Sequence, residues 1–129
     1  MRLLADTHVV LWALLRPSKL DRRAARALRA AANDVLVSAA SLWEMAIKAE
    51  LGKLRLPGPL GEWLPEALER TGLETLPIAG AHALAAGALP PHHRDPFDRM
   101  IAAQALSDGL TVVTRDARFA AYGVAVLQA

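Results

Sequence analysis

Four acids in this chain stand where carboxylate chemistry would need them. Asp6 follows the apolar run Met1-Arg2-Leu3-Leu4-Ala5, and Glu44 lies in Ser41-Leu42-Trp43-Glu44, just beyond Val35-Leu36-Val37. Asp98 sits in Arg94-Asp95-Pro96-Phe97-Asp98-Arg99 at the opening of a helix-like stretch, and Asp116 follows Thr111-Val112-Val113-Thr114-Arg115. Two of the four therefore close buried strands and two open helices. In an open parallel sheet those ends share one edge, where ligands bind. Two carboxylates ~5 Å apart, at an effective dielectric near 20, repel by about 3 kcal/mol. Protons or hard cations relieve such repulsion, and oxygen ligands suit Mg²⁺ or Mn²⁺. Water on such an ion is acidic enough to attack phosphorus, so the chemistry best served by an all-carboxylate site is phosphodiester hydrolysis. No conventional nucleophile competes: the chain has no Cys, no Gly-x-Ser-x-Gly elbow and no P-loop.

The elements that must position these acids follow from apolar runs and turn signals. Residues 2–5 read as a short buried strand, and His8 to Leu15 as a helix broken near Pro17. A second helix is expected from about Leu20 to Ala32, with Arg22, Arg26 and Arg29 on one face. Asn33-Asp34 marks a turn before the strand Val35 to Val37. Ser38 or Ser41 caps the next helix, which ends at Gly52. Residues 60–71 look helical, with Pro65 requiring a start or a kink near that point. Glu74 to Ile78 is a weaker strand, and Ala79 to Leu89 an alanine-rich helix. Asp95-Pro96 opens a helix to about Ser107, ended by Gly109; Thr111 to Thr114 and Val124 to Leu127 are the last strands. Apolar strands alternating with helices predict an α/β fold: a three-layer α/β/α sandwich around a central, mainly parallel sheet. With 129 residues and no linker or repeat, residues 1–129 form one domain.

Each acid also has an ordinary explanation. Asp6 and Asp95 are preferred N-cap residues, and Asp98 would sit where a helix dipole favours negative charge by roughly 0.3–1 kcal/mol. Glu44 stands three residues after Ser41, a capping-box spacing, and four before Lys48, the order of a helix ion pair. If the helix starts at Ser38, the capping box disappears and Glu44 needs another role. Asp116 could be a turn residue. Independent turn and cap roles, however, would not need all four acids on one side of a sheet. His92 and His93 are adjacent in a Pro-bounded loop and read as exposed; His82 reads as a helix-surface residue and His8 as a helix-start residue near the cleft. Arg115 beside Asp116, and Arg94 and Arg99 around Asp98, could meet phosphates at the rim. Trp12, Trp43 and Trp63 fall at apolar helical positions and read as core or interface.

Composition narrows the classes further. Without cysteine, disulfides and a thiolate site are excluded. Asp6 and His8 interrupt the apolar start too early for a signal peptide, and no uncharged run approaches the ~18 residues of a membrane span, which together lead us to expect a soluble, cytoplasmic protein with no membrane partner. The net charge is +2. If the acids cluster in one pocket, the remaining surface is more basic than that total, which permits an anionic partner. The apolar fraction, 53%, leaves room for an apolar patch facing a partner.

With these residues in view, the chain resembles the PIN-domain family, and within it the VapC-type toxins of toxin–antitoxin pairs. The segments that carry the likeness are Leu3-Leu4-Ala5-Asp6-Thr7-His8, Val37-Ser38-Ala39-Ala40-Ser41-Leu42-Trp43-Glu44, His92-His93-Arg94-Asp95-Pro96-Phe97-Asp98-Arg99 and Thr114-Arg115-Asp116. The resemblance covers essentially the whole chain. It implies a Mg²⁺- or Mn²⁺-dependent endoribonuclease acting on RNA, with metal and catalytic residues at Asp6, Glu44, Asp98 and Asp116. It further implies support from Ser38, a homodimer, and inhibition by a cognate VapB-type antitoxin that inserts a peptide near the cleft; Thr7 is expected to support the site as well, and Arg99 and Arg115, from their places beside the acids, to contact substrate. One departure concerns the last motif. Many relatives have Asn after the Thr-Arg pair and another acid a few residues on, whereas Asp116 is followed by Ala117, Arg118 and Phe119. Two other classes compete: a non-catalytic module that binds RNA or a partner on the same fold, and a phosphatase with an Asp nucleophile. The phosphatase would place a second Asp two residues after the first, where this chain has His8.

Overall fold

The computed structural model describes residues 1–129. Its centre is a five-stranded sheet, every neighbouring pair parallel, in the order β3-β2-β1-β4-β5. The strands are β1 Arg2–Ala5, β2 Asp34–Ser38, β3 Glu74–Leu76, β4 Thr111–Thr114 and β5 Ala125–Gln128. Around them run α1 Thr7–Leu15, α2 Arg22–Arg29, α3 Ala39–Glu50, α4 Leu60–Thr71, α5 Gly80–Ala88 and α6 Pro96–Asp108. Two 3₁₀ segments, Pro17–Lys19 and Ala117–Tyr122, complete the chain.

Strand residues alternate between two cores, and this makes three layers. Leu3, Ala5, Val35, Val37 and Val113 face a core that includes Val9 and Val10 of α1, Met45 of α3, and Leu64 and Leu68 of α4. Leu4, Leu36 and Val112 face the opposite side, against Ile101, Ala102 and Ala105 of α6 and Phe119. A sheet covered on both faces needs apolar residues at successive positions, which is why β1 and β4 read as continuous runs rather than alternating ones. The expected α/β/α sandwich is what forms.

The strand order reverses beside β1: the chain proceeds outward through β2 and β3, then returns to place β4 on the other side. Ala5 pairs with Val37 on one flank and Val113 on the other. The carboxyl ends of β1 and β4 thus open side by side at a topological switch point, where ligands bind in open α/β sheets.

Several boundaries differ from the sequence expectation. The second helix is shorter than Leu20 to Ala32, because Asp21 caps it through the Arg23 N–H (2.8 Å) and Ala30 is already extended. Helix α4 runs unbroken through Pro65, where the helix forfeits a donor without stopping. A six-residue 3₁₀ segment after Asp116 had no apolar period to announce it. At the end of α6, Gly109 takes the left-handed conformation (φ 67°) that lets the chain turn directly into β4. No helix is long and apolar enough to cross a membrane.

Candidate active site

Asp6 leaves β1 and caps α1. Its Oδ1 accepts the Val9 N–H (2.9 Å), and its Oδ2 accepts the hydroxyl of Thr114, the last residue of β4. The side chain is almost wholly buried. That burial raises its pKa, against the lowering effect of the Thr114 and Val9 bonds, and the nearby Asp116 charge raises it further. The cap role and the cleft role therefore coexist in one carboxylate: one oxygen serves the helix and the other faces the neighbouring strand.

Glu44 lies on α3, which Ser38 caps by accepting the Ala40 N–H (3.0 Å). The Ser41 capping box is therefore absent, and Glu44 is buried instead of reaching back along the helix. Its Oε1 accepts the Thr7 hydroxyl (2.7 Å), and its Oε2 pairs with Lys48 at 2.7 Å. Ser41 Oγ lies 2.9 Å from Thr7 Oγ1 and completes this hydroxyl cluster. Thr7 thus ties α1 to α3, and Ser38 caps the helix that carries Glu44.

Asp98 and Asp116 meet across a residue that the sequence reading had placed on the surface. His93 is buried, and its Nε2 lies 3.0 Å from Asp98 Oδ2 and 2.9 Å from Asp116 Oδ2. Its Nδ1 accepts the Asp95 N–H (3.2 Å), which leaves the ring proton on Nε2, facing the carboxylates. The His93 N–H donates to the Tyr122 hydroxyl (2.9 Å), which in turn donates to the Pro90 carbonyl (2.8 Å). The expectation of an exposed His93 is thus overturned: the Pro-bounded loop folds inward because Asp95 and Tyr122 anchor it. His82 is likewise buried rather than on the helix surface, its ring accepting the Ala79 N–H and meeting Asp108 at 3.1 Å. The adjacent charges in the sequence could have flagged His93 only if the loop's path had been known.

The electrostatics divide along the same line. Burial, then the neighbouring Asp95, pushes Asp98 from 3.8 up to about 7, with the Asp6 and Glu44 charges adding to the rise. Asp116 is held well below the usual carboxylate range, chiefly by Arg118, whose guanidinium donates to both of its oxygens (2.9 and 2.8 Å). Asp6, Asp98, Asp116 and His93 line one hollow of about 520 Å³, together with His8, Trp12, Asp95, Arg115 and Arg118. Glu44 does not line it, but stands close enough for its charge to reach Asp98. The four predicted acids are therefore brought to one edge of the sheet, three at the wall of the hollow and one beside it.

The two rim arginines fare differently. Arg99 does not line the hollow; its guanidinium donates to the carbonyls of Ala86, Leu89, Pro90 and His93. It is a brace for the loop that carries His93, set back from the hollow where the sequence suggested a substrate contact. Arg115 does line the hollow, stacked over Trp12 at 4.2 Å from the ring centre and donating to the carbonyls of Ala129 and Lys19.

His93 Nε2 and carboxylate oxygens of Asp98 and Asp116 all lie within 4.8 Å of one another; with the ring proton on Nε2, it is the two carboxylates that offer lone pairs to a metal ion there. A mainly carboxylate donor set suits a hard divalent cation, and the raised Asp98 pKa marks negative charge that a cation would relieve. The residues fit such an ion.

Comparison with known proteins places the chain as a whole. The chain is 35% identical over 116 residues to Ribonuclease VapC22 of Mycobacterium tuberculosis, a match covering 89% of this chain and 87% of that protein. Among solved structures it is similar to VapBC2 from Rickettsia felis bound to a DNA fragment from their promoter, with a TM-score of 0.73 at 18% identity over 99% of this chain and 98% of that one. It is also similar to FitAcB from Neisseria gonorrhoeae, with a TM-score of 0.64 at 28% identity over 97% and 96% of the two chains. Residues 3–125 match the PIN domain, and on that match, with an acidic edge of the kind its motifs announced, the chain belongs to the PIN-domain family.

Proposed function

We propose that the protein is a metal-dependent endoribonuclease, the toxin of a toxin–antitoxin pair, hydrolysing RNA phosphodiester bonds with water. The observation that carries this is the convergence of Asp6, Asp98, Asp116 and His93 in one hollow at the switch point, with Glu44 behind them. The 35% identity to a protein named a ribonuclease supports it. Asp6, Asp98 and Asp116 would hold Mg²⁺ or Mn²⁺, with Glu44 completing the acidic surroundings. Such an ion, when bound, supplies an acidified water and offsets charge developing on the phosphate.

The chain's own residues do the rest. Thr114 fixes Asp6 through its hydroxyl and holds the Asp116 N–H on the same oxygen (2.9 Å), so one side chain sets the separation of two carboxylates. Thr7 fixes Glu44 in the same way. No serine, threonine or cysteine lines the hollow, so no side-chain hydroxyl or thiol is placed there to attack the phosphate. Arg115 stands at the wall where a phosphate would arrive.

The partners follow from the same reading: a cognate VapB-type antitoxin, and a second copy of this chain. Trp43, Ile47 and Leu51 leave an exposed apolar stripe along α3 and its end, at the i, i+4, i+8 spacing of one helix face, which suits a protein partner. The protein would act in the cytoplasm, where its RNA targets are.

Incubating the purified protein with single-stranded RNA in Mg²⁺, Mn²⁺ or EDTA tests the assignment. Cleavage with either metal, lost in EDTA and in Asp98→Asn, is the expected result. RNA binding without cleavage under any divalent ion would leave a non-catalytic binding module in its place.

A further inference from the structure

A hollow walled by Asp6, Asp95, Asp98 and Asp116 repels an RNA backbone, so attraction has to come from cations close by. The arginines at the mouth are already engaged. Arg118 is paired with Asp116, and Arg115 with two carbonyls and the Trp12 ring. A second hollow, of about 370 Å³, adjoins the first and shares His8 and Trp12 as a common wall. Its other lining includes Arg16, Lys19 and Arg55. All three are exposed, and none of their side chains forms an ion pair or a hydrogen bond within the protein. Its apolar floor is Leu11, Leu15 and Leu54. The Arg115 bond to the Lys19 carbonyl fastens this hollow to the end of β4, so the two cannot drift apart independently.

Resting on the nuclease reading, we infer that single-stranded RNA runs from the acidic hollow across His8 and Trp12 into this second hollow, where Arg16, Lys19 and Arg55 hold the phosphates flanking the cut. The juxtaposition suits a single strand. Cations track its backbone, while an aromatic wall and an apolar floor accept unstacked bases. A duplex offers no free base face to such a wall. The His8 and Trp12 rings, 6.0 Å apart and tilted by 44°, stand at the step between the scissile phosphate and its neighbours. The other basic surface, around Arg22, Arg26 and Arg29, shares no wall with the acidic hollow.

The test compares two triple variants, Arg16→Gln/Lys19→Gln/Arg55→Gln and Arg22→Gln/Arg26→Gln/Arg29→Gln, each also carrying Asp98→Asn so that RNA is bound without being cut. Fluorescence anisotropy with a labelled single-stranded RNA in Mg²⁺ reads affinity across a salt series. The first set should weaken binding on the order of tenfold or more and flatten the slope of log affinity against log salt by about 2, three phosphates being released. The second set should change both far less. Equal losses in the two sets would show attraction by bulk charge alone and overturn the track. So would unchanged RNA binding in the first set, including the case where that set instead loses an acidic protein partner. Absence of RNA binding by the Asp98→Asn parent would overturn it as well. The nuclease reading is judged separately, by cleavage with wild-type Asp98: the same first set in that background should raise KM for long RNA and leave kcat near its original value.

Discussion

Asp6 and Glu44 sit in closed surroundings and receive hydroxyl and ammonium donors, whereas Asp98 and Asp116 meet across an imidazole at the open side of the same cleft. In the closed half each carboxylate oxygen has a donor: Val9 and Thr114 for Asp6, Thr7 and Lys48 for Glu44. The open half is asymmetric. Arg118 stabilises the charge of Asp116, while Asp98 is left among other acids and drifts toward its neutral form near pH 7. The difference teaches that the cleft has one half whose geometry is set by the fold and one half whose charge is left for something else to balance. A divalent cation would act mainly on the second half.

The largest expected effect comes from the acids themselves. Asp6→Asn or Asp98→Asn should lower RNA cleavage by more than the roughly 10–100-fold that loss of a supporting partner costs. Thermal unfolding in EDTA should meanwhile show Asp6→Asn as stable as the parent or more so, since Asn still caps a helix and a buried charge is gone. An unfolded Asp6→Asn protein would make the closed half structural.

Next come the groups that hold the two halves in place. Thr114→Val removes the donor to Asp6 and the acceptor of the Asp116 N–H, and should cost about 1–3 kcal/mol in denaturant unfolding together with roughly 10–100-fold in metal affinity. His93→Ala should cost about 10–100-fold in cleavage, because Asp98 and Asp116 lose their shared partner. If Thr114→Val left metal affinity unchanged while His93→Ala abolished it, the roles assigned to the halves would be reversed.

The pH dependence sharpens the contrast. The folded protein keeps the Asp98 proton to higher pH than the unfolded chain does. The stabilisation from that group is therefore full below 3.8 and lost as pH rises to about 7. Asp116 works in the opposite sense, but its change falls below 3.8, outside this window. Melting curves in EDTA should fall between about pH 4 and about pH 7, and Mg²⁺ should raise the melting temperature more at the upper end. The smallest effect is expected for Lys48→Ala, a partly exposed i,i+4 pair worth less than about 0.5 kcal/mol, with cleavage little changed.

Much of the fold was legible because its causes are local. The run Leu3-Leu4-Ala5, the β-branched Val35 and Val37, and Thr111 to Thr114 announced strands buried on both faces. Asp95-Pro96 and Gly109 bounded α6 through cap and turn chemistry. Helix α4 was harder to read, since the sequence states the presence of Pro65 but not that the surrounding helix, packed through Leu64 and Leu68, outweighs one lost bond. Of the site, Asp6, Glu44, Asp98 and Asp116 could be chosen because strand ends and helix starts are recognisable without coordinates. His93 could not, since nothing in Pro90-Pro91-His92-His93 says which of two adjacent rings turns inward. The bracing role of Arg99 was hidden for a related reason: charge beside an acid suggests phosphate, while only the loop's path brings four carbonyls to the guanidinium.

By itself the sequence determined the order of strands and helices, the two-sided burial of the sheet, and the kinds of group available for chemistry. Those depend on periodicity, capping and the absence of thiols, all properties of neighbouring residues. The tertiary structure alone decided that β1 and β4 open beside each other, that Thr114 spans Asp6 and Asp116, and that His93 stands between two carboxylates. These rest on groups distant in the chain meeting within hydrogen-bonding distance: His93 and Asp116 are 23 residues apart, Asp6 and Thr114 108. Crossover connections and loop packing set such meetings, and no local pattern encodes them.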